Sequence, residues 1–320
     1  MKIVLLERNS LGTDIDVSCY EKLGEVESYP VSDVNNAPDR IRDADIIIVN
    51  KVPMNELTLK DASRVKLICV TATGVDNIDF SYTSKRGIVV TNVKDYCTAA
   101  VAQHTFAMSL YLIEHLRHYD DYVKTGVYAD QPRFSNFDLP FFELAGKTWG
   151  IIGMGNIGRN VAEIAKAFGC KVIFYSASGQ NTSTDYERVE FDDLLAKSDV
   201  ISIHSPLTDR TRNLIDLDAM KKMKRSAVLI NVARGPIVND EDLYTALTEN
   251  IIAAAGLDVL GKEPISKENP LGSLMDSNKL LITPHLAWAS TEARIRLVDE
   301  IFNNASAFLN GEERNVVNLA

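Results

Sequence analysis

The sequence is short of several things, and each shortage removes a class of protein. It has four cysteines, Cys19, Cys69, Cys97 and Cys170, scattered and with no C-x-x-C pair. That spacing argues against a disulfide framework or a zinc site and for free thiols in a reducing compartment. No apolar run approaches the length needed to span a bilayer. Positive charge is in deficit, since 34 lysines and arginines face 44 aspartates and glutamates, for a formal net charge of −10. Nucleic acid and anionic membrane are thereby disfavoured as partners, and an anionic ligand must be drawn by local features. Residues 1–7 are too short and too soon charged for a signal peptide and read instead as a first β-strand, so a cytoplasmic protein is expected. No repeat of solenoid length and no low-complexity segment interrupts the chain.

What is there is alternation. The 320 residues suit two domains better than one core. Apolar, β-branched runs at 3–6, 46–49, 67–70 and 88–93 read as parallel strands covered on both faces. A long helix is predicted from Ala99 to about Val123, followed by a loop over 128–143 rich in Pro, Phe and Asp. A second α/β unit starts at Lys147, with strands predicted at 148–152, 171–175, 200–204, 227–231, 253–258 and 280–283. Helical stretches such as 192–197 and 240–249 separate most of them. The fold class is therefore α/β, with two doubly wound parallel sheets. A last amphipathic helix, about 290–309, is predicted to carry Ile295, Val298, Phe302, Ala305 and Leu309 on one face, with Ser290 as N-cap and Gly311 as stop.

The most informative stretch opens the second unit. An apolar strand runs into Gly153-x-Gly155-x-x-Gly158 and then into a helix. The first glycine suits a tight turn, the second lets backbone approach a pyrophosphate, and the third lets helix pack on strand. Exposed N–H groups and the positive end of the helix dipole then face the anion. This fingerprint usually opens a domain, yet here a complete α/β unit precedes it. Two domains with a cleft between them, the first serving the substrate, is the simplest account.

Three further segments each put one reactive side chain after a strand-like run: Arg234 in Leu229–Pro236, Glu263 in Gly256–Pro264, where Asp258 ends the strand, and His285 in Ile282–Ser290. Alone, Arg234 also fits a surface arginine, Glu263 a solvated turn residue and His285 a structural histidine. Together they suit hydride transfer coupled to proton transfer at a 2-oxo acid carbonyl. A guanidinium grips a carboxylate with two parallel donors, an imidazole exchanges a proton near neutral pH, and a neighbouring carboxylate orients that ring. His104, His115 and His118 read as structural or surface residues of the long helix. His115 and His118 are three apart, but with no third ligand evident no metal is expected.

With these motifs the chain resembles the D-isomer-specific 2-hydroxyacid dehydrogenase family over essentially its whole length. The carrying motifs are Gly153-Met-Gly-Asn-Ile-Gly158, His204-Ser-Pro-Leu-Thr208, Asn231-Val-Ala-Arg-Gly235, Gly256-Leu-Asp-Val259, Glu263-Pro264 and Thr283-Pro-His285. The resemblance implies a Rossmann-type cofactor domain, 99–285, inserted in a flavodoxin-like substrate domain made of 1–98 and 286–320. It implies Arg234, Glu263 and His285 as the catalytic set. It implies cofactor contacts from Gly153, Gly155, Asn156, Ile157, Gly158, Ser176, His204, Ser205, Pro206, Thr211, Val232, Ala233, Arg234, Asp258 and His285. Substrate contacts would come from Lys51, Thr73, Gly74, Val75, Arg234 and His285, the Thr73 loop offering backbone N–H groups to the carboxylate. The long helix would contribute to a homodimer.

The expected reaction is reversible, NAD(P)H-dependent reduction of a small 2-oxo acid to the D-2-hydroxy acid. His285-Leu-Ala-Trp288 looks most like the glycerate dehydrogenase/hydroxypyruvate reductase branch. D-lactate-type and phosphite dehydrogenases are the alternatives, as is a nucleotide-sensing corepressor from another class. One departure concerns the cofactor. Ser176 stands where members commonly carry the aspartate that repels a 2′-phosphate. No arginine follows at once, and Arg188 lies well downstream, so NAD(H) is expected to be slightly favoured with NADP(H) possible.

Overall fold

The structure is a computed structural model, and it describes residues 1–180 and 185–317. The chain divides into two compact units, one formed by Met1–Cys97 together with the chain from Ala289 on, the other by Thr98–Trp288.

The first unit holds a five-stranded parallel sheet in the order β2-β1-β3-β4-β5. Its strands are β1 (Lys2–Leu5), β2 (Glu25–Ser28), β3 (Ile46–Val49), β4 (Leu67–Val70) and β5 (Val89–Thr91). The central strands β3 and β4, Ile-Ile-Ile-Val and Leu-Ile-Cys-Val, are buried at every position, as strands covered on both faces must be. β2 was not anticipated. Its Glu-Val-Glu-Ser sequence has no apolar run because it is an edge strand, paired only with β1.

The helix Thr291–Leu309 belongs to this unit and starts as expected, with the Ser290 hydroxyl accepting from the Ala293 N–H. Its buried face matches the expected one at Val298 and Ala305 but not at Ile295. Ala293, Leu297, Val298, Ile301, Asn304 and Ala305 point inward, while Ile295 is 47% exposed. That face combines branched aliphatic side chains with small alanines and a buried asparagine. Asn304 donates to the Asn92 carbonyl at 2.9 Å, which lets a polar residue sit in the interior.

The second unit holds a seven-stranded parallel sheet in the order β12-β11-β10-β9-β6-β7-β8. Its strands are β6 (Thr148–Ile152), β7 (Lys171–Tyr175), β8 (Glu187–Arg188), β9 (Val200–Ile203), β10 (Val228–Asn231), β11 (Ala254–Leu257) and β12 (Leu280–Ile282). The order reverses between β6 and β9, which is the switch point where open α/β sheets bind ligands at strand C-termini. Trp149 of β6 is fully buried, donates to Ser202 at 2.9 Å and stacks on Phe106, with ring centroids 4.5 Å apart. Phe106 lies on the helix Thr98–Ile113, so that helix is fastened to the sheet.

The long helix expected from Ala99 to about Val123 is broken. One helix spans Thr98–Ile113 and another Leu116–Lys124, with His115 between them at φ +52°. A left-handed residue without glycine carries no local sequence signal. The loop expected over 128–143 begins with a helical turn, Val127–Asp130. Among the described residues, no helix is long and apolar enough to cross a membrane, and no cluster of three metal-ligating side chains is present.

Candidate active site

The glycine turn leaves β6 as its sequence requires. Gly153 has φ +97°, and a Cβ there would lie 2.4 Å from the Ser205 hydroxyl and 2.8 Å from its backbone nitrogen. The turn therefore presses on the His204-Ser205-Pro206 segment that follows β9. Gly158 lies so close to the Gly153 carbonyl that a Cβ would come within 2.2 Å of it, so helix and strand meet through backbone. Gly155 differs, because a Cβ there would meet nothing within 4 Å. It is the N-cap of the helix Asn156–Ala167, and the first N–H groups of a helix find no acceptor within the helix itself. Open space at a helix N-terminus fits a dinucleotide pyrophosphate.

A second observation agrees. His204 Nε2 lies 2.9 Å from the Ser202 hydroxyl, whereas its Nδ1 is buried and has no partner among the described residues. Burial pushes this imidazole down to about 3, so it is neutral and keeps one polar atom for a ligand. Thr211 shapes the same loop, donating to the Pro206 carbonyl at 2.8 Å while accepting from the Thr208 N–H at 2.7 Å. Ser176 ends β7 and is buried. Sequence distance misled at Arg188. β8 pairs with β7 so that Arg188 sits opposite Phe174, and its guanidinium donates to the Gly179 carbonyl at 3.3 Å, in the turn that Ser176 opens.

The reactive side chains follow three adjacent strands. In-register pairing of Asn231 with Leu257 and of Leu257 with Ile282 brings the C-termini of β10, β11 and β12 side by side. Arg234 follows β10, Asp258 follows β11 and His285 follows β12. The first two loops touch through backbone, since a Cβ on Gly235 would stand 1.9 Å from the carbonyl carbon and oxygen of Leu260. Buried Asn231 shapes the arginine loop by donating to the Arg234 carbonyl at 3.0 Å and accepting from the Ala233 N–H at 3.1 Å. Val232 and Ala233 are buried beside it, and Arg234 Nη1 donates to the Ala233 carbonyl at 2.8 Å.

Glu263 closes the set. One carboxylate oxygen accepts from the Leu260 N–H at 3.0 Å, and the other lies 2.6 Å from His285 Nδ1. Both side chains are about one-third exposed, so the pair is reachable by a small ligand. His285 has φ +54°, a strained backbone held by several bonds. Its N–H donates to the Asp258 carbonyl at 2.9 Å, and its own carbonyl accepts from Trp288 Nε1 at 3.0 Å. The buried Asp258 carboxylate accepts from Thr283 at 2.6 Å, from Leu286 N–H at 2.9 Å and from Ala287 N–H at 2.8 Å. Asp258 thus grips the histidine loop on both sides. His104, read from sequence as structural or surface, lies 3.0 Å from the Thr283 hydroxyl and 3.6 Å from Asp258.

In the first unit, the remaining expected residues follow neighbouring strands. Lys51 lies beyond β3, where the Glu7 carboxylate accepts from the backbone N–H groups of Asn50 and Lys51 at 2.7 and 2.9 Å. Thr73, Gly74 and Val75 lie beyond β4. The Thr73 hydroxyl donates to the Val93 carbonyl at 2.8 Å, and Asn92 donates to the Thr73 carbonyl at 2.7 Å.

Comparison with known proteins agrees with this geometry. Residues 106–287 match the family described as "D-isomer specific 2-hydroxyacid dehydrogenase, NAD binding domain". The chain is 38% identical to a hydroxypyruvate reductase of Blautia hydrogenotrophica, covering 99% of this chain and 100% of the relative. It is also 38% identical to a glycerate dehydrogenase of Methylorubrum extorquens, covering 99% and 98%. Among solved structures, a D-lactate dehydrogenase from Aquifex aeolicus complexed with NAD and lactic acid superposes with a TM-score of 0.84 at 30% identity, covering 98% and 96%. The chain belongs to the D-isomer-specific 2-hydroxyacid dehydrogenases, a family of NAD-dependent oxidoreductases.

Proposed function

We propose that this enzyme interconverts a small 2-oxo acid of the hydroxypyruvate or glyoxylate type and the corresponding D-2-hydroxy acid. The observation that carries the reading is the 2.6 Å contact between Glu263 and His285 Nδ1, beside an arginine loop packed directly on the backbone that supports Glu263. The glycine turn and the helix that follows it would hold the nicotinamide cofactor, which would supply or accept the hydride at the carbonyl carbon. In reduction, His285 gives its Nε2 proton to the carbonyl oxygen while Nδ1–H stays on Glu263. In oxidation, Nε2 takes that proton back. Arg234, whose Nη1 donates to the Ala233 carbonyl, is assigned to the substrate carboxylate and carbonyl on the resemblance and on the planar, multi-donor geometry of a guanidinium. Lys51 and the backbone of Thr73, Gly74 and Val75 are assigned to the carboxylate on the resemblance.

Both nicotinamide cofactors are expected to serve, NAD(H) slightly better. Ser176 brings no charge to repel a 2′-phosphate, and Arg188 stands at the same turn. A homodimer fits the exposed Leu116, Val123, Val127, Phe134, Phe137 and Phe141, all within one stretch of the second unit. A cytoplasmic setting fits the cysteines, which are free.

The test is a panel of hydroxypyruvate, glyoxylate and pyruvate with NADH and NADPH, run beside phosphite with NAD. Hydroxypyruvate and glyoxylate are expected to be turned over best, with D-configured products. Preference for pyruvate moves the enzyme to the lactate type, and NAD reduction by phosphite to that branch. No turnover on any 2-oxo acid, with capture of a peptide ligand instead, overturns the enzymatic reading.

A further inference from the structure

We propose that His104 is a positioning residue for His285, acting through the hydroxyl of Thr283 and the carboxylate of Asp258. The inference rests on His285 being the acid/base. His104 lies on the helix Thr98–Ile113, far from the reactive loops in sequence, and its side chain is only 17% exposed.

Proton counting fixes the direction of the chain. The Thr283 hydroxyl is 2.6 Å from Asp258 Oδ1, and a carboxylate has no proton to give, so threonine donates. A hydroxyl has one proton, so the Thr283 oxygen can only accept from His104 Nε2 at 3.0 Å. His104 therefore carries a proton on Nε2. Burial disfavours its second proton while the Asp258 charge favours it, and burial is the larger effect.

The far end of the relay is the histidine loop. Asp258 holds Thr283 before His285 and the backbone of Leu286 and Ala287 after it, and its own carbonyl accepts the His285 N–H. His285 sits at φ +54°, a conformation maintained only while its surroundings impose it. Thr283 is the one side chain in that loop whose grip on Asp258 depends on a rotatable bond. A donor on its oxygen holds the rotor with its proton toward the carboxylate. Without that donor, the hydroxyl turns, one side of the loop is released, and Nε2 of His285 spends less time aimed at the reacting oxygen. Misaim of this kind lowers kcat and leaves binding largely intact.

Three variants test the relay, assayed on the best 2-oxo acid of the parent. His104→Leu keeps volume and removes the donor. His104→Gln restores an N–H at comparable reach. Thr283→Val removes the middle link. His104→Leu and Thr283→Val are each expected to lower kcat about tenfold, with KM for the oxo acid and Kd for NADH within about twofold of the parent. His104→Gln is expected within about threefold of the parent in kcat, and the double variant His104→Leu/Thr283→Val no lower than either single. Unchanged kcat in His104→Leu or in Thr283→Val overturns the proposal, as does equal damage by leucine and glutamine. If His104→Leu does not fold, Thr283→Val and His104→Gln decide alone. A parent without activity on any 2-oxo acid marks the failure of the functional reading instead.

Discussion

Replacing Glu263 by glutamine changes one atom in the proposed proton path, and its effect can be worked from two distances. Glu263 uses both oxygens as acceptors, one for the Leu260 N–H at 3.0 Å and one for His285 Nδ1 at 2.6 Å. Glutamine has one acceptor and one donor to place at those positions. If its carbonyl faces Leu260, its NH2 faces His285 Nδ1, and the ring must turn that nitrogen into an acceptor. The imidazolium needed for reduction then has two donors pointed at each other. The Nδ1–H tautomer needed for oxidation is disfavoured for the same reason. If the amide flips, the clash moves to Leu260 N–H, and the loop carrying residue 263 shifts.

Either arrangement loses a hydrogen bond to a charged group, about 1.5–3 kcal/mol. Partial exposure of the pair favours the lower half of that range, which corresponds to about a ten- to fortyfold fall in kcat. Steady-state NADH oxidation followed by absorbance gives kcat in reduction, the reverse assay gives oxidation, and single turnovers isolate the chemical step. NADH affinity, read by fluorescence, should not move. A variant with kcat within twofold of the parent in both directions would falsify the role of Glu263.

Two other perturbations are as specific. The imidazole of His204 is held down at about 3 against an ordinary 6.5, so between those values the unfolded chain binds the proton that the folded chain refuses. Its contribution is present above about pH 6.5 and drains as pH falls, by at most about 2 kcal/mol at pH 5. Urea unfolding of the cofactor-free protein at pH 7.5 and pH 5 should show that extra loss relative to His204→Gln, and equal losses in parent and variant would contradict it. Gly235→Ala should force apart the arginine and glutamate loops, because its Cβ would sit 1.9 Å from backbone atoms of Leu260. A loss on the order of 2–4 kcal/mol in stability and a larger fall in kcat are expected, whereas Gly155→Ala, with no atom within 4 Å of its Cβ, should keep the melting temperature and weaken only NADH. A melting temperature for Gly235→Ala equal to that of Gly155→Ala would refute the packing argument.

The parts legible from sequence share a physical cause. Strands β3, β4, β9, β10 and β11 are buried along their whole length and announce themselves as apolar runs. Arg234, Asp258 and His285 were visible because each polar residue interrupts such a run at its C-terminal end. What escaped was decided by partners elsewhere. β2 and β8 are edge strands with polar sequences, and β8 is only two residues long. The break at His115 has no glycine or proline to mark it. Arg188 was discounted by its distance along the chain, which strand pairing cancels. His104 meets Thr283 across 179 residues, a contact that no helical periodicity reports.

Strands covered on both faces have a further consequence. β9, β10 and β11 are buried at every position and carry no inside–outside alternation, so burial alone specifies their alignment only weakly. Besides the Trp149–Ser202 bond between β6 and β9, alignment is helped at the strand ends, where Asn231 ties its own turn and Gly235 fits the Leu260 backbone with no room to spare. The loops that carry Arg234 and Glu263 are therefore also among the stops that keep the sheet from slipping. Remodelling them to accept a bulkier acid would endanger the threading of the strands themselves.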